Sequence, residues 1–426
     1  MLIIALISLL IFLIIGVPVS FAIGLSGLLA LVLGGDVPSF MAVQQMVRGI
    51  NSFSMMAGPL FILAGEILGG AQLSGRILKF CRSTVNWMKG GLGCVCVTAN
   101  MIFAGISGSG AATMSSIGSL TAPELKKAGY DRSFVASLIA GSGSLGPIIP
   151  PSVNMIVFAS LTGFSIGKLF IGGLIPGVII GACLMIMCNF YARKYNIDQG
   201  TGKFSLSDAW SAFKEAFFAL ITPFIIIGGV VSGIFTATES GIIACLYGLF
   251  CGFFVYKTLK IKDMVPIFKR ASASSAMLLM IMGIANIYAY IFARENVGEM
   301  ISTFLLSTSD NPMVIVLIII AIMLVIGCFM ETIAAMVVIL PVVYPIVINL
   351  GIDPLMFGVL FSIATVVGGL TPPVGLYLFL SMSLTDAPFK EAIRYTLPVV
   401  LIVLTTMILI LLVPEVVTFL PNLMMN

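Results

Sequence analysis

The segment "GSGSLGPIIPPS" (Gly141–Ser152) decides how the rest of the chain is read. Gly141, Gly143 and Gly146 satisfy G-x-G-x-x-G, a spacing that lets a backbone approach a dinucleotide pyrophosphate. Pro147 and the pair Pro150–Pro151 follow at once, where that fingerprint needs an unbroken helix to begin. Proline lacks an amide hydrogen and pushes the preceding residue out of the helical region. The segment therefore reads as a forced break in an apolar helix.

The setting of that break is a membrane. Apolar residues make up 60% of 426 positions and charged residues only 9%, where a soluble chain has about a quarter charged. Runs of about 20 apolar residues, enough to cross a bilayer, recur from end to end. The 44 glycines and 20 prolines sit inside such runs, where a broken helix survives only against protein or a wet cavity. A net charge of +4 is too small to imply nucleic acid and fits the cytoplasmic-loop excess of a membrane protein. There is no histidine, and of eight cysteines only Cys94 and Cys96 are close, so no transition-metal site is expected. Without histidine, "GISG" has no serine–histidine partnership and no H-E-x-x-H exists; the chain is not expected to be an enzyme. The start "MLIIALISLL" lacks a basic n-region and reads as a first span.

The chain also repeats itself. A shift of 222 positions brings Gly105 onto Gly327, Pro123 onto Pro345, Gly129 onto Gly351 and Asp131 onto Asp353. The same shift brings Gly146 onto Gly368 and Pro150–Pro151 onto Pro372–Pro373. Seven coincidences in one ungapped register mark an internal duplication.

Charge then orients the halves. Basic residues cluster at Arg76–Lys89, Lys126–Arg132, Arg193–Lys214, Lys257–Arg270 and Lys390–Arg394, all cytoplasmic by the positive-inside rule. Residues 91–124 begin and end on that side and read as a re-entrant hairpin broken at "GISGSGAAT". Residues 313–349, flanked by Asp310 and Asp353, read as a hairpin opening outward. Spans near 2–16, 18–34, 51–72, 134–164 and 168–192 pair with spans near 216–236, 240–256, 271–293, 355–385 and 394–413. Five crossings per half make the second copy upside down and both termini external. The expected fold is an all-α polytopic membrane protein, an inverted repeat of five crossings plus one hairpin per half with two broken helices. Residues 1–192 form one half, 193–215 a cytoplasmic linker and 216–426 the other. Such repeats are the architecture of secondary transporters. The basic stretch Ser74–Gly90 reads as an amphipathic helix along the cytoplasmic leaflet.

The breaks free carbonyl oxygens that water cannot reach at mid-membrane, and Na⁺ accepts such ligands. Two Na⁺ sites are expected, with Na⁺ the only metal. The first is expected at Ser107, Ser109, Gly146, Pro147, Ile149 and Pro150, and the second at Gly327, Thr332, Gly368, Gly369, Thr371 and Pro372. An organic anion would lie between them near Gly108, Gly110, Ser152 and Glu331, facing half-helix N-termini. Acidic residues in apolar runs default to function. Of Glu66, Glu239 and Glu331, Glu331 is the best candidate for a site, Glu239 reads as a helix-start residue, and Glu66 is open between site and cytoplasmic surface.

The runs "GISGSGAATMSSIGSL", "IIPPS" and "LGIDP…GGLTPPVGLYLFL" resemble the large membrane subunit of the tripartite ATP-independent periplasmic (TRAP) transporters, over nearly the whole chain. The resemblance implies a Na⁺-coupled importer of sialic acids or C4-dicarboxylates in a bacterial inner membrane, working by an elevator motion. It also implies a small four-helix membrane subunit and a periplasmic substrate-binding protein as partners. Both termini would then be periplasmic. The chain departs from the expected pattern at Thr113, Ala237, Ala364 and Glu331, where an acidic residue, proline, asparagine and aspartate would be usual. A stand-alone Na⁺/anion symporter or antiporter, without a binding protein, shares the same residues.

Overall fold

The computed structural model describes the whole chain except residues 35, 36, 39, 52, 201, 202, 310, 373, 374 and 426, and the side chains of 19, 53, 54 and 306. Asp310 and Pro373, used above for charge and for the second break, lie outside the described residues. Among those described, the structure is helical with no strand.

Helices α1 (Leu2–Ile14) and α2 (Val19–Leu33) pack on each other. Next come α3 (Phe40–Ile50), which the sequence reading did not foresee, and α4 (Phe53–Gly70), meeting at 60°. Helix α5 (Leu73–Val85) carries the basic amphipathic stretch, but its apolar face is not left to lipid. Leu73, Ile77, Leu78 and Cys81 are buried, and the helix packs on α6 (Gly91–Ser107) and on a later span.

Helix α6 is the first arm of a hairpin. The returning arm is α7 (Gly110–Thr113), a π-helical turn (Met114–Gly118) and α8 (Ser119–Lys127). The broken helix follows as α9 (Arg132–Gly143) and α10 (Val153–Thr162), and α11 (Ile166–Tyr195) closes this part.

A second series of helices follows. Helices α12 (Leu206–Val231), α13 (Ala237–Phe250), α14 (Ile261–Arg294) and α15 (Val297–Thr308) lead to hairpin arms α16 (Pro312–Gly327) and α17 (Thr332–Asn349). A second interrupted helix, α18 (Pro354–Leu370) and α19 (Leu376–Thr385), precedes α20 (Phe389–Leu412) and α21 (Glu415–Met424). Helices α11, α12, α13, α14, α17 and α20 are long and apolar enough to cross a bilayer, α13 with its π-helical extension to Val255. The chain is a multi-pass membrane protein. Arm α17 differs from expectation in reaching 18 residues, a length that can span, though Pro341 and Pro345 interrupt its bonding.

The duplicated landmarks perform the same local tasks. Gly129 and Gly351 both take positive φ, +92° and +69°, where a helix must end in a tight left-handed turn. Two residues later, Asp131 caps α9 by accepting from the Ser133 and Phe134 amides, at 2.8 and 3.3 Å. Asp353 caps α18 identically, accepting from Leu355 at 2.7 Å and Met356 at 3.1 Å. Ser109 and Glu331, also 222 apart, are the N-caps of the returning hairpin arms. Glu239 forms a capping box with Thr236, matching its reading as a helix-start residue.

One long-range anchor ties the segment after α11 to the base of the first hairpin. The Asp198 carboxylate accepts from the Leu92 amide and the Tyr130 hydroxyl, both at 2.8 Å, and its carbonyl accepts from Gly90. Burial, reinforced by this hydrogen bond, pushes the Tyr130 phenol well above its ordinary value near 10, so it remains a donor at physiological pH. Tyr130, Phe134 and Tyr191 stack beside it. Loss of a charge-assisted hydrogen-bond acceptor costs about 1.5–3 kcal/mol. Asp198→Ala is therefore expected to lower the apparent melting temperature of the purified protein clearly more than Gln199→Ala, its exposed neighbour; equal melting would remove the anchor.

Candidate cation and anion site

The hairpin tips and the helix breaks meet backbone to backbone. Gly108 ends α6 in the left-handed region, and a Cβ there would lie 2.1 Å from the Pro151 carbonyl oxygen. The Gly108 carbonyl accepts from the Val153 amide at 3.3 Å. A Cβ at Gly146 would lie 2.6 Å from the Ser109 carbonyl carbon and 2.8 Å from the Gly110 nitrogen. Side chains cannot enter these contacts, so glycine is required on both surfaces.

Hydroxyls crowd the same tip. Ser107 and Thr113 share a 2.7 Å hydrogen bond, and Thr113 donates to the Ser109 carbonyl at 2.8 Å. Where the resemblance leads one to expect an acid, Thr113 thus supplies a neutral hydroxyl that braces the turn. Ser152 caps α10, accepting from the Met155 amide and donating to the Pro147 carbonyl. Ile149 is packed against Gly177, and the Pro150 oxygen faces Gly105, 3.6 Å from where its Cβ would stand.

The second half repeats the interlock. A Cβ at Gly368 would lie 2.5 Å from both the Cα and the carbonyl carbon of Gly327, and one at Gly327 would lie 3.0 Å from the Gly368 Cα. Thr371 donates its hydroxyl to the Val367 carbonyl at 2.7 Å, and its amide donates to Gly368 at 3.1 Å. Pro372 is half-buried in the turn that follows. Glu331 accepts from the Ile333 and Ala334 amides at 3.0 and 3.1 Å, which uses its carboxylate as the cap of α17. Thr332, the first residue of that helix, is buried.

Tyr377 joins the two assemblies. Its ring would touch a Cβ on Gly110 of the first tip, at 2.9 Å, and on Gly369 of the second break, at 2.8 Å. Asn154 on α10 donates to Thr365 on α18 at 3.2 Å, both side chains being buried.

A cavity of about 690 Å³ opens beside these contacts. Of the sequence-derived site residues, Ser107, Gly108, Ser109, Gly110, Pro147 and Glu331 line it. Gly146, Ile149, Pro150 and Ser152 are not among its described lining residues, nor are Gly327, Thr332, Gly368, Gly369, Thr371 and Pro372. The opposite wall is α4 and α14, including Gly65, Glu66, Arg270 and Ser274. Gly65 brings α4 close to the tip, its Cβ position being 3.3 Å from the Ser107 Cα. Asn154, Tyr377 and Arg270 were not singled out from sequence. Only the position of Tyr377 and Asn154 just after the two breaks could have marked them.

The family model described as tripartite ATP-independent periplasmic transporter, DctM component, matches residues 6–416. The chain belongs to this DctM family. Among its relatives, the sialic acid TRAP transporter large permease protein SiaM of Vibrio cholerae is 35% identical over 412 residues, covering 96% of each chain. The isethionate TRAP transporter permease protein DctMQ of Oleidesulfovibrio alaskensis is also 35% identical, over 408 residues covering 96% of this chain but 64% of that one. The fold resembles the Alcanivorax borkumensis YdaH transporter, with a TM-score of 0.64 at 15% identity and 86% coverage of both chains.

The interlocks in this DctM chain allow a stability test. Gly146→Ala and Gly368→Ala force a Cβ into backbone, an overpacking that costs about 1–3 kcal/mol. Gly228 has nothing within 4 Å of its Cβ position, and alanine there is expected to be neutral or stabilising by about 0.4–1 kcal/mol. Melting of the three purified variants should separate the first two from the third; three equal curves would contradict the interlock.

Proposed function

We propose that the chain is the membrane-translocating subunit of a Na⁺-coupled importer of an organic acid anion. A periplasmic binding protein would deliver the cargo, with a small membrane subunit completing the assembly. The observation that carries this reading is that each helix break packs against its own hairpin, through Gly146 on one side and Gly368, 222 positions later, on the other, beside a cavity lined by residues of both hairpins, Ser109 and Glu331 among them. Broken helices of this kind at mid-membrane are where transporters place ions and cargo.

Charge favours a cation-coupled anion cargo. Among the described lining residues the charged ones are Arg270, Glu66 and Glu331, formally one positive against two negative. An anion entering that cavity needs cations with it. The two breaks, with Ser107, Ser109, Thr332 and Thr371 nearby, are the places proposed for two Na⁺ ions. Two Na⁺ with a monoanion move net +1, so the membrane potential adds about 2.3 kcal/mol per 100 mV to accumulation.

The related SiaM and DctMQ carry sialic acid and isethionate in their names, a carboxylate and a sulfonate, which supports an organic anion. The greater length of DctMQ is consistent with a large and a small subunit joined in one chain. The proposed topology is the inverted repeat, with halves at 1–192 and 216–426 joined by 193–215, both termini periplasmic and the membrane the bacterial inner membrane. The proposed motion is an elevator in which hairpins and broken helices slide along α4 and α14. The close approach at Gly65 and the cavity between those two walls support it.

The test is uptake into proteoliposomes holding the chain and its small subunit. Labelled N-acetylneuraminate, isethionate and succinate are each offered with the cognate binding protein under an inward Na⁺ gradient. Accumulation of one of them that needs both Na⁺ and the binding protein is expected. Accumulation of free cargo without the binding protein would instead establish a stand-alone carrier. A K⁺ gradient serving equally well would refute Na⁺ coupling.

A further inference from the structure

Glu66 and Arg270 are 204 positions apart, yet the Arg270 Nε donates to the Glu66 Oε2 at 2.7 Å inside the cavity. On α14, Arg270, Ser274, Leu278 and Ile281 fall on one face and all line the cavity. At 1.5 Å per residue, Arg270 sits about 16 Å along the helix from Ile281. On α4, Ile62, Gly65, Glu66 and Gly69 form the adjoining strip. The pair therefore stands in the arm of the cavity walled by α4 and α14, one residue from Gly65 at the first hairpin tip.

Arginine presents five N–H donors in a planar fork. Glu66 takes one of them; among the described residues no second acceptor is hydrogen-bonded to Arg270. The side chain is 55% exposed and lines the cavity, and with Nε on Glu66 its Nη groups carry no hydrogen bond among the described residues. Arg270 is also the single basic residue among the described lining residues. An open guanidinium edge is suited to two-point binding of a carboxylate or a similar oxyanion.

We propose that Arg270 contacts the anionic cargo in this arm of the cavity, with Glu66 as the resident counter-ion. This deepens the import reading and rests on it. The oxyanion binds the free Nη edge while Glu66 stays on Nε. Glu66 limits how tightly Arg270 holds the anion and keeps the guanidinium aligned after the cargo leaves. A bare arginine would trap an anion; one already paired binds it and lets it go.

Ser274, exposed and one turn from Arg270, supplies a reporter. In the full chain in proteoliposomes, Ser274→Cys is made with Cys183 and Cys328, the two cysteines not fully buried, replaced by alanine. Alkylation by uncharged N-ethylmaleimide is followed with and without N-acetylneuraminate, isethionate or succinate in Na⁺ buffer. At least one anion is expected to slow the reaction about tenfold, a difference of 1.4 kcal/mol. Arg270→Gln should abolish that protection, Arg270→Lys should keep part of it, and Glu66→Gln should strengthen it. Protection unchanged in Arg270→Gln, or absent for all three anions in the parent, overturns the proposal. Should Arg270→Gln not fold, Glu66→Gln decides alone: unchanged or weaker protection overturns it. Uptake is measured in the same vesicles. Arginine-dependent protection without Na⁺-driven uptake would refute the import reading and uphold the Arg270 site. Uptake with protection independent of Arg270 would refute the Arg270 site alone.

Discussion

A backbone carbonyl or amide inside a membrane must find a partner, because no water is there to take its place. Two proline-containing breaks, after Gly143 and after Leu370, interrupt helices that otherwise satisfy themselves. Each break is set against the tip of a hairpin, where a second chain reversal leaves helix ends to be capped. The contacts are so close that only glycine fits at Gly146 and Gly368. Hydroxyls of Ser107, Thr113, Ser152 and Thr371 take up part of the freed hydrogen bonding. What remains is concentrated polar backbone beside a cavity, the condition under which proposed Na⁺ sites and a proposed anion site become chemically sensible.

The duplication is most informative at the level of single tasks. Asp131 and Asp353 cap their helices with the same pair of bonds, and Gly129 and Gly351 make the same turn before them. Ser109 and Glu331 cap the returning hairpin arms, one with a hydroxyl and one with a carboxylate. That difference breaks the equivalence of the halves where it matters for charge. Tyr377 and the Asn154–Thr365 hydrogen bond then join the two assemblies.

Much of this was legible in the sequence because proline and glycine act locally. A proline removes its own amide, so the breaks and the hairpin tips are legible from nearest neighbours alone. What sequence could not display were partnerships between distant positions. By charge alone Arg270 belongs with the cytoplasmic loops and Glu66 fits either a site or the surface, since their pairing exists only once α4 and α14 lie together. The Asp198 anchor at the hairpin base and the burial of α5 against its neighbours were hidden for the same reason. Glu331 was placed at its tip, but its role as a helix cap was not foreseen, because a carboxylate there could as well have faced the cavity. Helix α3 was missed because it is short and mixed in polarity.

The most direct measurement of the central claim is the apparent melting temperature of the purified chain across a NaCl series, matched to KCl at equal ionic strength. A ligand that binds only the folded state stabilises it by RT ln(1 + [L]/Kd). Two Na⁺ held at the two breaks should therefore raise the melting temperature steadily with log Na⁺ concentration and not with K⁺. Superimposable NaCl and KCl curves would mean that the breaks hold no Na⁺, and the coupling assigned to them would have to be abandoned.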